Sequence, residues 1–210
     1  MFNGRLWVTK GSGKMEGINS INVSPFNKFC NRMSKIIGST CYKCYARALA
    51  VMYKRLLAYC IGNQKVLNRV LEDKELPRFF NDKIMRFNSY GAIVTVNQMR
   101  NYLTICYNNP EVTFGLWFKN HPIVWKVLKE MDKPDNLILN YSTFMVDPED
   151  ITVPKRVAPY VDRVFNVYKD KTEGIDFNCH GQCKDCLICY SRNDVKVVNE
   201  RQKKNSRHIQ

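Results

Sequence analysis

The sequence predicts an α/β protein: a partial, open β/α barrel of about five mostly parallel strands, followed by a cysteine-rich C-terminal extension. Short apolar runs alternate with segments whose apolar residues recur at helical spacing, which is typical of parallel strands covered by helices. About five such runs occur, too few for a closed eightfold barrel. The 210 residues are 45% hydrophobic and 12% aromatic, which excludes wholesale disorder.

The first half of the chain is expected to contain a short strand, a long loop and three helices. The strand is a short apolar run, and the loop is rich in Gly, Ser and Asn. The first helix has Leu49, Met52 and Leu56 on one face, and Gly62-Asn63 is expected to end it. In order, we expect the strand at 6–9, the loop at 10–40, and helices at 45–61, 66–71 and 80–87.

The second half is expected to alternate regularly between strands and helices. The strands are runs rich in β-branched and aromatic residues, and Pro122 suits the first turn of a helix. We expect strands at 92–96, 112–118, 137–141 and 163–168, and helices at 99–106 and 121–131. These elements predict a barrel domain over residues 1–169 and a cluster-binding tail over residues 170–210.

The charge balance points to an anionic partner. Lys and Arg number 33 against 19 Asp and Glu, so the net charge is +14. From Gly17 to Leu71 there is no acidic residue but there are nine basic ones. This charge predicts either neutralisation of an anionic thiolate cluster or a phosphate-binding face for nucleic acid. The candidate nucleic-acid residues are Lys43, Arg47, Lys54 and Arg55.

The chain carries no sign of membrane insertion or secretion. Its first residues lack the apolar run of a signal peptide, and no apolar stretch approaches the roughly 18 residues of a membrane helix. We therefore expect a soluble, cytoplasmic protein with no membrane partner. In a reducing cytoplasm, its nine cysteines indicate a metal or an iron–sulfur cluster rather than disulfides.

The first cysteine group is Cys30, Cys41 and Cys44. Cys41 and Cys44 form a Cys-x-x-Cys motif that enters a helix, whose N-terminus favours thiolates, and Cys30 is a third candidate ligand. Three thiolates would leave one iron of a [4Fe–4S] cluster open to a substrate. A zinc knuckle or a redox Cys-x-x-Cys is the alternative, although a redox pair leaves Cys30 unexplained.

The second cysteine group is Cys179, Cys183, Cys186 and Cys189. The last three have the repeated two-residue spacing with which bacterial ferredoxin loops wrap a cluster, and Cys179 is a candidate fourth ligand. Zinc is the alternative, but zinc sites usually join two separated Cys-x-x-Cys pairs. The first three also match the radical-SAM spacing, but they follow the strands instead of preceding them.

The element Cys30…Cys41-x-x-Cys44-Tyr45-Ala46, followed by an Arg/Ala/Leu helix, resembles that of phage-encoded radical-SAM-like proteins. Together with the cysteine-rich C-terminal segment, it makes the chain most similar to the bacteriophage family called gene product 88. The resemblance covers most of the chain, but only the two cysteine segments are specific. It implies a radical-SAM-like partial barrel, a [4Fe–4S] cluster and a viral protein in the cytoplasm of a host cell.

The sequence departs from the radical-SAM pattern at two places. Ten residues separate Cys30 from Cys41 where that pattern has three, and no Gly-Gly-Glu follows the run at 92–96. That element binds the amino group of S-adenosylmethionine in radical-SAM enzymes. A relative that keeps the cluster but has lost the chemistry is therefore as compatible with the sequence as an active enzyme.

These observations lead to one functional hypothesis and two alternatives. The leading hypothesis is a protein with one or two [4Fe–4S] clusters and a redox or sensing role, with an electron donor and nucleic acid as candidate partners. The first alternative is an active enzyme that cleaves S-adenosylmethionine to modify nucleic acid or protein. The second is a zinc-stabilised nucleic-acid-binding module. The chain shows no carboxylate pair or Ser/His/Asp pattern that supports hydrolysis.

Overall fold

The computed structural model describes residues 5–202 and confirms the α/β class. A single seven-stranded sheet forms the centre, and its strands lie side by side in chain order. The first two strands are antiparallel, and each later pair of neighbours is parallel. The first and last strands are edges, so the sheet is open, as expected.

The strands and helices alternate through the middle of the chain. The strands are β1 (Val8–Thr9), β2 (Asn19–Ile21), β3 (Ile84–Phe87), β4 (Thr113–Phe118), β5 (Leu137–Val146), β6 (Arg163–Tyr168) and β7 (Val197–Arg201). The helices are α1 (Lys28–Met33), α2 (Tyr45–Met52), α3 (Lys54–Leu67), α4 (Val96–Tyr107), α5 (His121–Leu128) and the short α6 (Cys183–Cys186).

The core lies between one face of the sheet and helices α3, α4 and α5. Side chains alternate along a strand, so Met85 and Phe87 of β3 enter this core with Met99 of α4, while Arg86 points to the opposite face. We call that opposite face the inner face. It carries Arg86, Trp117, Asn140, Arg163 and Phe165, and the second cysteine segment covers it.

The expected number of strands was too low. β2 and β7 were not expected, and both pair in parallel with their neighbours, β3 and β6. β2 is only three residues long and mostly polar, and β7 ends in polar residues, so neither has the apolar run that predicts a strand. The division into 1–169 and 170–210 stays a prediction, and residues 1–4 and 203–210 lie outside the described part.

Two expected elements are wrong in type. The run 92–96 is not a strand, because Thr95 caps α4 by accepting a hydrogen bond from the Gln98 backbone, and the Gln98 side chain accepts one from Val94. The segment 80–87 is not a helix. Its apolar residues have helical spacing, but Phe80 is 91% exposed and β3 occupies the end of the segment.

The expected helix over 45–61 is divided in two at Tyr53 and continues to Leu67. Gly62 and Asn63, expected to end it, are buried inside α3. The Asn63 side chain bonds to the backbone of Trp7 and Asn22, which fixes the chain beside β1. The strands expected at 112–118, 137–141 and 163–168 and the helices at 99–106 and 121–131 are confirmed to within a few residues, though β5 continues to Val146. Over residues 5–202, no helix is both long enough and apolar enough to span a membrane.

Candidate functional site

The first cysteine group lies near the carboxyl end of β5. Cys30 is on α1, where the Asn27 side chain accepts a hydrogen bond of 2.9 Å from its backbone, and Cys44 directly precedes α2. Cys41 follows a short contact with β5, in which Thr40 donates to the carbonyl of Phe144 over 2.9 Å. The carboxyl ends of parallel strands are where α/β proteins place their ligands.

The three thiols of this group lie close enough to influence one another. The pKa of Cys30 is raised to about 12, first by burial and then by the neighbouring thiols of Cys44 and Cys41. Burial also raises the pKa of Cys41, which Lys119 opposes and Cys44 reinforces. The structure therefore places these three cysteines in one region, and their role as one ligand set stays a prediction.

Lys119 faces this group from the end of β4. Its amine donates hydrogen bonds to the hydroxyl and carbonyl of Ser142 and to the carbonyl of Thr143, 2.9 Å away. Burial lowers its pKa to about 8, against the opposing effect of the Cys41 and Cys44 thiols. Lys119 forms no ion pair with a carboxylate of residues 5–202, so its only anionic neighbours would be thiolates.

The second cysteine group lies on the inner face of the sheet. The backbone of Cys179 donates to the carbonyl of Asn199 in β7 over 3.2 Å, and the carbonyl of Cys189 accepts from the side chain of Asn140 in β5, also over 3.2 Å. Cys183 and Cys186 are the two ends of α6. Leu187, at the end of that turn, has a φ of 52°, which redirects the chain towards Cys189.

Several thiols of the second group also influence one another. The pKa of Cys189 is raised to about 12, first by burial and then by Cys179, with Cys183 also contributing. Burial is likewise the largest cause of the raised pKa of Cys183, and Cys186 adds to it. The four cysteines therefore lie in one region of the inner face, and their role as one ligand set stays a prediction.

Two arginines of the inner face border the second group: Arg163, which is buried, and Arg86, which is half-buried. Arg163 is 2% exposed and donates to the carbonyl of Ser191, while its Nε and Nη1 atoms have no hydrogen-bond partner among residues 5–202. Arg86 stacks on Trp117, with its guanidinium carbon 4.0 Å from the ring centre, and its Nε is also unpartnered there. Neither arginine forms an ion pair with a carboxylate in this part of the chain. Burial raises the pKa values of Cys183 and Cys189, and the charges of Arg86 and Arg163, respectively, oppose that rise.

Tyr190 anchors the second cysteine segment to the sheet. Its ring lies against Gly115 of β4, where a Cβ would come within 2.7 Å of two ring atoms. It also packs edge-to-face on Trp117, with ring centres 5.2 Å apart. Gly115 thus provides the space that lets the segment lie directly on the inner face.

The donor chemistry of both groups fits a cluster or a metal with thiolate ligands, and the neighbouring cations fit its negative charge. Within residues 5–202, no three or more His, Cys, Asp or Glu side chains are placed so that they could hold one metal ion. Around one zinc ion the ligand sulfurs lie about 3.8 Å apart, because each Zn–S bond is about 2.3 Å long. In a [4Fe–4S] cubane each thiolate binds a different iron, so its ligand sulfurs lie farther apart than those of a zinc site. The [4Fe–4S] ligand sets therefore stay predictions.

The four candidate nucleic-acid residues divide into two kinds. Lys43, Lys54 and Arg55 are exposed. Arg47 is half-buried and occupied, because it donates to the carbonyl of Pro25 and to Asn31 and stacks on a phenylalanine ring. Arg47 therefore holds α1 against α2. Arg55 is exposed, but its Nε donates to the Tyr59 hydroxyl over 2.6 Å and its guanidinium lies over that ring. Lys43 and Lys54 keep their charge available to a partner.

A cavity of about 320 Å³ opens against α1, and no cysteine of residues 5–202 lines it. Its walls come from α1, which carries Cys30, and from the segments that follow β3 and β4. Basic, aromatic, apolar and amide groups line it, namely Lys28, Phe29, Arg32, Val94 and Asn120.

Sequence reasoning found the cysteines but missed the cations beside them. Lys119, Arg86 and Arg163 lie far apart in the sequence, so no spacing rule connects them. The available signal was positional: Lys119 directly follows β4, Arg86 interrupts the otherwise apolar β3, and Arg163 begins β6. The solitary Cys60 and Cys106, expected in the core, are fully buried as predicted.

Comparison of the chain with protein-family models, with curated proteins and with solved structures gives no match.

Proposed function

We propose that this protein binds a [4Fe–4S] cluster at one or both cysteine groups and serves a redox or sensing role. The observation that carries the proposal is that cations lie beside each cysteine group: Arg163 is buried, and Arg86 and Lys119 are half-buried. Within residues 5–202 these cations have no acidic ion-pair partner.

The charge argument is strongest at the second group. A buried cation without a partner costs several kcal/mol, and such groups are normally paired. Arg163 leaves two polar atoms unpartnered and Arg86 leaves one, all bordering Cys183 and Cys189. An anion held by those cysteines would balance this charge, and a cluster with thiolate ligands is such an anion.

Lys119 has the corresponding role at the first group. It is held by oxygen atoms of Ser142 and Thr143, and it lies near Cys41 and Cys44. In this position its charge favours the thiolate form of Cys41. Since burial alone raises the pKa of Cys41, this opposing charge helps the ligand to deprotonate.

When bound, a [4Fe–4S] cluster supplies reversible one-electron transfer. The chain's residues would hold it, exclude water and set its electrostatic surroundings. The cysteines of both groups are half-buried, so either cluster would be shielded from water in part and still be reached by an electron donor.

The cavity against α1 favours one second candidate, an enzyme of the radical-SAM type. It has room for a small molecule, and Lys28 and Arg32 give it a positive lining that suits a carboxylate or phosphate. Slow reductive formation of 5′-deoxyadenosine by the cluster-loaded protein would support this candidate. Absence of S-adenosylmethionine binding by that protein would refute it.

The proposal is tested by purifying the protein anaerobically, recording visible and EPR spectra, and assaying iron, sulfide and zinc. Brown protein with about four irons and four sulfides per cluster is the expected result. Colourless protein with stoichiometric zinc would overturn it and establish the zinc-stabilised module.

Paired variants locate the ligands. Cys41→Ala/Cys44→Ala removes the first group and Cys186→Ala/Cys189→Ala the second, so the variant that loses iron identifies the cluster site. The matched control is Cys106→Ala, which removes a fully buried core thiol. Equal loss of iron in the control would mean that the folded core, and not ligation, controls the iron content.

A further inference from the structure

Three tyrosines form an exposed surface beside the first cysteine group. Tyr45 and Tyr53, at the two ends of α2, are 58% and 56% exposed. The rings of Tyr45 and Tyr90 have centres 6.2 Å apart, and Tyr53 also lies close enough to Tyr90 to affect its ionisation. We call Tyr45, Tyr53 and Tyr90 the tyrosine surface.

This surface starts at the cysteine group itself. Tyr45 is the residue after Cys44, and its hydroxyl donates to the carbonyl of Ser89 over 2.9 Å. The ring is therefore fixed in position while most of it faces solvent. An exposed aromatic ring held by a hydrogen bond at its far end is suited to stacking, because little freedom remains to be lost on binding.

Basic residues accompany the tyrosines along the chain. Lys43 precedes the Cys44-Tyr45 pair, and Lys54 and Arg55 follow Tyr53 directly. Within residues 5–202 none of these three cations pairs with an acid, and the stretch from 17 to 71 contains no Asp or Glu to neutralise them. An ordinary solvated surface carries charges of both signs. The stretch of chain with these three cations carries positive charge alone, so it favours a polyanionic partner.

We propose that the tyrosine surface binds single-stranded nucleic acid, with bases stacked on Tyr45 and Tyr53 and phosphates held by Lys43, Lys54 and Arg55. Stacking requires bases whose faces are free, which a duplex does not offer. The chemistry differs from that of a purely electrostatic face, where exposed aromatics would be unnecessary. The inference deepens the proposed function, since it names the partner class that would be brought to the first cysteine group.

The test is fluorescence anisotropy with the full chain, purified anaerobically, and a labelled oligothymidylate of about 20 nucleotides. The matching duplex and anionic phosphatidylserine vesicles are measured beside it. We expect the single strand to bind best, with affinity falling steeply between about 50 and 200 mM salt. Absence of binding at the lower salt, equal binding of the duplex, or preference for the vesicles would each overturn the proposal.

Tyrosine variants separate stacking from simple attraction between charges. Tyr45→Ala and Tyr53→Ala should each weaken binding about 5- to 150-fold, since stacking contributes about 1–3 kcal/mol per base. Tyr45→Phe keeps the ring but loses the hydrogen bond to Ser89 that fixes it, so it should bind more weakly than the parent chain and more tightly than Tyr45→Ala. The control is Tyr107→Ala, which removes a similarly exposed tyrosine at the end of α4 and should leave affinity unchanged. Unchanged affinity in both alanine variants of the surface would refute stacking.

A lysine variant tests the phosphate contacts. Lys54→Ala should reduce the slope of log affinity against log salt by about 0.7, the value of one phosphate contact to a single strand. Lys126→Ala, an exposed lysine on α5, should leave the slope unchanged. Iron is assayed in every sample, so loss of binding with normal iron refutes this inference alone, and binding without iron refutes only the cluster proposal.

Discussion

Replacing Arg163 by methionine should affect the cluster-free and cluster-loaded proteins differently. In the cluster-free protein Arg163 is a buried cation that is 2% exposed and has two unpartnered polar atoms. Replacing buried ions by apolar groups of similar volume is often neutral or stabilising by about 1–4 kcal/mol. The lost bond to the carbonyl of Ser191 costs about 1.5–3 kcal/mol, so the net change is small.

In the loaded protein the same change removes a cation beside an anionic group. Two opposite unit charges about 4–8 Å apart attract by about 2–4 kcal/mol at an effective dielectric constant near 20. The stabilisation that the cluster adds should fall by about this amount in Arg163→Met. In each protein, the Tm gap is the Tm with the cluster minus the Tm without it. For a chain of this size, we expect the Tm gap of Arg163→Met to be about 5–15 °C smaller than that of the parent chain.

The assay is thermal unfolding of the parent chain and the variant, each with and without anaerobic reconstitution by iron and sulfide. Comparing the two gaps cancels the effect of the substitution on folding itself. Arg100→Met is the control, because Arg100 forms an exposed ion pair with Glu130 and should leave the gap unchanged. An unchanged gap in Arg163→Met would refute the idea that the buried cation balances a bound anion.

Three further predictions concern the fold. Burial alone would raise the pKa of the Asp147 carboxyl. The carboxyl accepts hydrogen bonds from the three backbone N–H groups at 169–171, and these lower its pKa below the usual value. Asp147→Asn should therefore be less stable by about 1–2 kcal/mol in urea unfolding at pH 7. The difference should begin to shrink below about pH 4, where the unfolded carboxyl is protonated first, and should vanish only below the lower pKa of the folded carboxyl; a constant difference would contradict this. Gly115→Ala should destabilise by about 1–3 kcal/mol, because its Cβ would meet the Tyr190 ring, and an unchanged Tm would contradict the packing. Cys106→Ala should lower the free energy of unfolding by about 1 kcal/mol and leave iron content unchanged, and loss of iron would count against its core role.

The strands that sequence reasoning identified are those whose apolar runs are long. β4 and β5 have such runs, whereas β2 has only three residues and depends on its neighbours for its pairing. The helical spacing of Phe80, Ile84 and Phe87 was misleading, since the tertiary contacts of Met85 and Phe87 place them in a strand. Local pattern is a weak guide where the sheet itself decides the conformation.

The candidate site was predictable only as far as it is local in sequence. The cysteines stand in two short segments, so their spacing predicted both groups. Lys119, Arg86 and Arg163 meet them through the register of parallel strands, which no single segment contains. Arg47 was expected to contact nucleic acid because it belongs to a basic stretch. Composition cannot show whether a cation is free or, like Arg47, already bound to a neighbour such as Asn31.

The strands lie in the sheet in the same order as they occur along the chain, and this order has a consequence for biosynthesis. From β3 onward, each new strand adds to an edge that is already present, and no later strand has to enter between earlier ones. Cys44 is translated 135 residues before Cys179, which at about 5–20 residues per second amounts to about 7–27 s. The first three thiols therefore emerge well before the second four, and cofactor delivery to the nascent chain would meet the two groups one after the other.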